Sequence, residues 1–299
     1  MIEMRQIQVF LALSELLNFS RAAEKIHLTQ PTVSSHLKSL ENYLGVKLLE
    51  RGGKQIRLTP AGELFLPYAR RIYNLQDRAA KELRLHAGAE SGSLEIGGSN
   101  TPGQYLLPAL IGRFSTPRKK VRITLQISDS EEIIARIADG RLELGLVGTP
   151  APAGDFLSQP SHGDELILVA SPEIAAGLGP VISVAKLKKL PLILREKGSA
   201  TRRVTLAALQ KLGLKGTHEL NQIAEMGSVE AVRQALKSGL GAAIISNLAV
   251  GEDLASGRLV RIALPGEPIH RRFHLVCDRR RQLTPLAEAL SRFILADNQ

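Results

Sequence analysis

The stretch FSRAAEKIHLTQPTVSSHLKSLENYLG, Phe19 to Gly45, constrains the N-terminal fold more than any other part of the chain. It holds two apolar faces of helical spacing with only a tight turn between them. Ala22, Ala23 and Ile26 form a compact face on the first segment, for which Ser20 is a candidate N-cap. After His27-Leu28, Thr29 can cap a second helix, and Pro31 is tolerated in its first turn because the missing N–H would be unpaired there anyway. Upstream, Met4, Ile7, Phe10, Leu11 and Leu17 repeat at helical intervals, so three short helices are expected before residue 45.

On a helical wheel Val33, Leu37, Leu40 and Leu44 fall in one narrow sector and face the core. Pro31, Thr32, Ser35, Lys38, Ser39 and Asn42 lie opposite, with Gln30 and Ser34 at the flanks. Small hydroxyl residues keep that side slim, so a helix of ~10–12 Å diameter can enter a major groove about 12 Å wide. Gln30, Thr32, Ser34 and Ser35 can bond base edges or phosphate, and Lys38 supplies a phosphate charge. A merely solvated helix face is the alternative. Against it stands the segment KLLERGGKQIRLT, a hairpin tipped by Gly52-Gly53 whose Arg51, Lys54 and Arg57 make a basic wing.

The net charge of +10 over 299 residues invites a nucleic-acid partner, yet the charge is spread. Residues 1–90 hold 13 Lys and Arg against 9 Asp and Glu, and the remainder 26 against 20, so charge alone does not locate a DNA site. The length suggests two or three domains, and 44% hydrophobic with 23% charged residues suits globular folding. No apolar run nears the ~20 residues of a membrane span, and the start MIEMRQIQVF lacks a signal-peptide pattern, so a cytoplasmic protein without membrane contact is expected. The single cysteine, Cys277, precludes an internal disulfide and reads as a buried strand residue.

From Pro60 to about His86 a long helix is expected, interrupted by Pro67, where a local kink is predicted. Phe65, Tyr68, Ile72, Leu75, Ala79 and Leu83 form a stripe suited either to a partner helix or to packing on its own chain. AGAESGS then reads as a linker. Beyond it strands alternate with helices, which predicts a βαβ sheet covered on both faces; a second such unit begins near Asp164, and a terminal strand and helix return to the first.

The segment from Phe19 to Glu63 resembles the winged helix-turn-helix of LysR-type transcriptional regulators. Ala22-Ala23, Thr29-Gln30-Pro31, Ser34, Leu40-Glu41, Leu44-Gly45, Leu48, Arg51 and Leu58-Thr59-Pro60-Ala61-Gly62 stand where that pattern expects them. Leu49 departs from it, since the family commonly has an aromatic there. The resemblance implies three parts: a winged helix-turn-helix over residues 1–59, a linker helix and hinge over 60–90 that pairs subunits, and a periplasmic-binding-protein-like α/β domain over 91–299. In that domain lobe I would cover about 91–163 and 268–299, and lobe II about 164–267. It also implies a homodimer or homotetramer, promoter DNA as partner, and a small-molecule effector between the lobes. RNA polymerase is a further partner the resemblance admits. Texture in YLLP and REKGSATR resembles members tied to sulfur or carbon assimilation.

Ligands of open α/β sheets sit beyond the carboxyl ends of strands, where loops feed helix N-termini. Ser99, Asn100 and Thr101 occupy such a place. Gly98 and Gly103 mimic the start of a phosphate loop, but Gln104-Tyr105 replaces the required Lys-Ser/Thr, which argues against ATP. In the second lobe Gly198-Ser199 offers backbone N–H groups, Ser199 and Thr201 offer hydroxyls, and Arg195, Arg202 and Arg203 offer charge, a set that favours an anion or carboxylate. Ser128 and Ser130 are a third candidate, with Ser130 equally suited to a helix cap. The resemblance adds Val147-Gly148 and Gly227-Ser228 to this cleft.

No cofactor, metal or catalytic constellation competes. His270 and His274 share one face of a strand without a third ligand, and Asp129, Glu131 and Glu132 read as a solvated helix start. Two other classes remain to weigh against an effector-controlled DNA-binding regulator: a cytoplasmic solute-binding protein, and an α/β enzyme with an accessory DNA module. The absent leader pattern and intact helix-turn-helix oppose the first; the absent catalytic set opposes the second.

Overall fold

The computed structural model describes residues 2–52, 55–85, 91–179 and 181–297. The chain divides into two compact units, one over the first 87 residues and one over most of the remainder.

In the N-terminal unit α1 (Met4–Leu16), α2 (Phe19–Lys25) and α3 (Gln30–Leu44) precede the hairpin β1 (Leu49–Gly52) and β2 (Gln55–Leu58), followed by α4 (Pro60–Leu85). Their shared core is built on the stripes that the sequence presents: Ile7, Phe10, Ala22, Val33, Leu37 and Leu40 are buried together. Each such large aliphatic side chain contributes roughly 1.5–3 kcal/mol by leaving water. Two details differ from expectation. Leu17 is not helical but ends α1 in the left-handed region, φ 48°, and is exposed. The N-cap of α2 is Asn18, whose side chain accepts from the Arg21 N–H, so Ser20 sits within the first turn as an exposed helical residue. Thr29 caps α3 as expected. Helix α4 runs on through Pro67. Phe65 packs into the N-terminal core, whereas Tyr68, Ile72 and Leu75 of the same stripe are exposed, as is Leu64.

The C-terminal unit contains β3 (Ser91–Ser99), α5 (Asn100–Tyr105), α6 (Leu107–Ser115), β4 (Lys120–Ser128), α7 (Ser130–Ala138) and β5 (Leu144–Val147). Residues 91–93, the end of the expected linker, are already strand. Then come β6 (Phe156–Ala170), α8 (Pro172–Ala175), α9 (Val184–Lys189), β7 (Leu192–Arg195), α10 (Ala200–Lys211), β8 (Gln222–Met226) and α11 (Val229–Lys237). The chain closes with β9 (Ala242–Ser246), α12 (Asn247–Ala255), β10 (Val260–Ile262), β11 (Ile269–Asp278) and α13 (Pro285–Ala296).

Strand order is β4-β3-β5-β11-β6-β9-β7-β8, with β10 paired to β6. The first lobe is parallel β4-β3-β5 and the second is built on β9-β7-β8; the long antiparallel pair β6 and β11 joins them. Separate apolar clusters cover the two sheet faces in each lobe. The terminal helix returns to the first lobe, where Leu286, Leu290 and Ile294 join its core. Cys277 is half-buried against that cluster, and burial raises its thiol pKa.

Candidate functional site

The outward face of α3 is polar and open. Gln30, Pro31, Ser35 and Lys38 are exposed and Thr32 and Ser34 half-exposed, while Val33, Leu37 and Leu40 are buried on the opposite side. Thr29 and Thr32 pair their hydroxyls at 2.8 Å, and Ser20 Oγ reaches Gln30 Oε1 at 3.4 Å, so the start of α3 is pre-ordered by its own side chains. In the turn before it, His27 takes φ 54° and Leu28 N–H reaches the Ala23 carbonyl, while Arg5 Nη2 donates to the Ile26 carbonyl. Arg57 is exposed on the hairpin, opposite Glu50 in register. Arg51 lies in β1; Gly53 and Lys54, the tip and the third wing cation, fall outside the described residues.

What fixes α3 against the wing is a buried carboxylate. Glu41 is 6% exposed, and its Oε1 accepts from the Leu48 and Leu49 N–H groups at 3.0 and 3.3 Å, with Lys47 on Oε2 at 2.7 Å. Thr59 closes the other end: its hydroxyl donates to the Lys47 carbonyl at 2.6 Å and accepts from Gly62 N–H at 3.0 Å. A Cβ on Gly62 would lie 2.1 Å from the Leu48 carbonyl oxygen, so only glycine allows α4 to start against the wing. Leu49, where an aromatic is common, is simply buried in the core.

In the C-terminal unit, the carboxyl ends of strands from both lobes meet at a narrow cleft of about 10 Å³. Ser99, Asn100, Thr101 and Ser130 of the first lobe face Arg195, Ser199 and Thr201 of the second there, all expected from sequence. Asp129, Ala200 and Arg271 complete the lining. Ser130 is 1% exposed, and its hydroxyl has no hydrogen-bond partner among the described residues. It does not cap α7: Asp129, one residue earlier, does so by accepting from the Glu132 N–H at 2.9 Å. Gly98 and Gly103 pack β3 against α5, since a Cβ on Gly98 would meet Gly103 Cα at 2.6 Å; their spacing is a packing device and not a phosphate loop.

Arg271 is the residue that sequence reasoning missed. Its guanidinium bonds Asp164 through Nε at 2.8 Å and Nη2 at 2.6 Å, Thr201 Oγ1 through Nη1 at 3.1 Å and Thr101 Oγ1 through Nη2 at 3.3 Å. One side chain on the joining strand thus touches a threonine from each lobe. Asp164 is completed by Ser246 Oγ at 2.7 Å. Burial pulls the Arg271 pKa down, Asp164 opposes that, and Arg195 adds to it. The signal was present in the strand alternation: Ile269, Phe273 and Leu275 are buried, and Arg271 occupies the same inward phase.

Other expected residues lie outside the cleft lining. Arg202 is spent on Glu225 at 2.5 Å and on the Arg195 carbonyl at 2.7 Å; its hydrogen bond holds the Glu225 pKa down. Arg195, which does line the cleft, is held by Glu196 at 2.6 Å. Ser128 contributes its carbonyl to Asn100 at 3.1 Å, Val147 is core, and Gly148 abuts Ala200 and Arg271. Gly198 sits against the Asp129 carboxylate, Gly227 is exposed, and Ser228 caps α11. His270 and His274 belong to β11, and no group of three or more metal-ligand residues occurs among the described residues.

Two further ties cross the cleft. Tyr105 Oη donates to Glu230 at 2.9 Å, and burial, then this bond, push its pKa up to about 12. Arg203 reaches Glu131 at 2.7 Å and Thr149 Oγ1 at 2.6 Å.

A polar-faced recognition helix with a wing, and a two-lobed α/β unit with a cleft at its strand ends, together define a DNA-binding protein with a ligand-binding unit on the same chain. Residues 4–63 match the bacterial regulatory helix-turn-helix protein, lysR family, and residues 87–299 match the LysR substrate binding domain. The chain belongs to the LysR family and is a DNA-binding transcription regulator with an effector-binding domain, not an enzyme. A RuBisCO operon transcriptional regulator of Allochromatium vinosum is 30% identical over 99% of this chain and 96% of the relative. Among solved structures, full-length CbnR complexed with its target DNA has a TM-score of 0.71 at 22% identity, covering 98% of both chains. The Synechocystis PCC6803 CcmR regulatory domain in complex with 2-PG has a TM-score of 0.63 at 23% identity, covering 70% of this chain and 98% of that domain.

Proposed function

We propose that this regulator is cytoplasmic, reads promoter sequence through Gln30, Thr32, Ser34 and Ser35 of α3, and changes its DNA affinity or DNA bending when a small anionic metabolite enters the cleft. Lys38, Arg51, Lys54 and Arg57 supply phosphate contacts in this reading, with Ser20, Thr29 and Pro31 at the approach to the groove. In keeping with it, no helix among the described residues is long and apolar enough to cross a membrane. The exposed apolar residues of α4 support its pairing with a second subunit, as a dimer or as half of a tetramer.

The observation that carries the effector assignment is the buried Ser130 hydroxyl, unpartnered among the described residues, in a cleft that Arg195 and Arg271 also line. The N-termini of α7 and α10 meet there too, and both favour negative charge. Arg271 takes the place that sequence assigned to Arg202, because Arg271 lines the cleft and Arg202, bonded to Glu225, lies outside it. A space of about 10 Å³ holds at most one water, so a metabolite has to part the lobes. Its contacts would then replace the Arg271 bonds to Thr101 and Thr201, which couples occupancy to lobe geometry. The complex of CcmR with 2-PG supports a small ligand in this kind of domain.

Calorimetric titration of the full-length protein with a panel of small carboxylates and phosphates tests the assignment. One should bind saturably, and Ser130→Ala and Thr101→Val should each weaken it about tenfold, the loss of one buried hydrogen bond. Affinity unchanged in both variants would refute the site.

A further inference from the structure

A second groove, of about 370 Å³, lies in the second lobe between α10 and the connection from β10 to β11. On α10, Val204, Ala208 and Leu212 repeat every four residues and present one aliphatic face to it. Leu264 and Ile269 form the facing wall. That wall is stiff, because Pro265 and Pro268 fix their own φ, while Gly266 at φ +88° brings the chain to within 3.2 Å of Leu212 Cδ2, measured from where a Cβ would stand. The groove is therefore formed in advance and has the size of a small-molecule site. Its lining is mainly aliphatic, with Lys211, Glu267 and the exposed His270 as its ionisable side chains and no Phe or Tyr.

Two opposite charges border it, Lys211 and Glu267. They do not pair with each other, and neither forms an ion pair or side-chain hydrogen bond among the described residues. A simple carboxylate would suit Lys211 and be opposed by Glu267; a simple amine would meet the reverse. We infer that the groove binds a small aliphatic amino acid, its carboxylate on Lys211, its ammonium on Glu267 and its hydrocarbon side chain on the Val204, Ala208 and Leu212 face. The site is independent of the interlobe cleft, although α10 and β11 contribute to both.

L-Leucine is the probe, titrated into the full-length protein by calorimetry, with 4-methylpentanoate and 3-methylbutylamine as singly charged analogues. Leucine should bind saturably and each analogue about tenfold more weakly. Lys211→Glu and Glu267→Lys, both on exposed positions, should each cost about tenfold, and Ala208→Phe, which fills the groove, should abolish binding, while Ser130→Ala leaves it unchanged. Absence of saturable leucine binding overturns the inference. So does equal binding of 4-methylpentanoate, or leucine binding that survives Ala208→Phe and is lost with Ser130→Ala.

Discussion

Glu41 and Arg271 are charged side chains placed where charge is costly, and each is fully engaged. Replacing Glu41 by Ala strands the Leu48 and Leu49 N–H groups, at about 1–3 kcal/mol for each group left unpaired. We expect Glu41→Ala to lower the urea midpoint of the N-terminal unit and to weaken DNA binding, although Glu41 is on the buried side of α3. Arg271→Met leaves Asp164 uncompensated and should destabilise the C-terminal unit by about 3–5 kcal/mol; adding Asp164→Leu should recover much of that loss in denaturation experiments. Both residues show where sequence is informative. Glu41 belongs to a recognisable motif, whereas Arg271 is one charge within an apolar alternation whose threonine partners stand 70 and 170 residues away. The caps teach the same lesson locally. Asn18 and Asp129 each stand within two residues of a serine that could cap equally well, and only the backbone path decides between them.

At the scale of elements, α3 was legible because a 15-residue amphipathic helix constrains every position on its wheel. Strand β6 was legible only from Asp164 onward. Its first half, FLSQPSH, carries Pro160 opposite His274, where the register with β11 shifts, and few apolar residues mark it. The stripe on α4 split: Phe65 packs on its own chain, while Tyr68, Ile72 and Leu75 remain open, and Ala79 and Leu83 have no described side-chain surroundings. Ile72→Glu with Leu75→Glu should therefore shift sedimentation toward monomer without unfolding the N-terminal core. In the second lobe Asp253 ties α11 to α12, receiving Arg233 at 2.5 Å and Arg258 at 3.0 Å. Burial works to raise its pKa, but the Arg233 bond and charge outweigh that and hold it low. A lowered carboxylate pKa stabilises above the unfolded value of about 3.9 and loses that contribution as pH falls through the folded one. Asp253→Asn should thus lower the urea midpoint at pH 7, and the gap from wild type should narrow below about pH 4.

For the whole molecule, the net charge of +10 is shared between the two units, so long-range attraction to DNA is general while selectivity rests on one helix face. Lys38→Ala should weaken binding evenly across sequences and reduce the salt slope by about 1, whereas Ser35→Ala should relax sequence preference with a smaller change in slope. The most direct measurement is titration of a fluorescent fragment of the protein's own promoter, over a salt series, against bulk competitor DNA. Binding should be in the nanomolar range, fall linearly with salt on logarithmic axes, exceed that for bulk DNA by at least about a thousandfold, and lose part of that margin in Ser35→Ala. Equal affinity for promoter and bulk DNA, or an unchanged margin in variants of Gln30, Thr32, Ser34 and Ser35, would contradict sequence reading by α3.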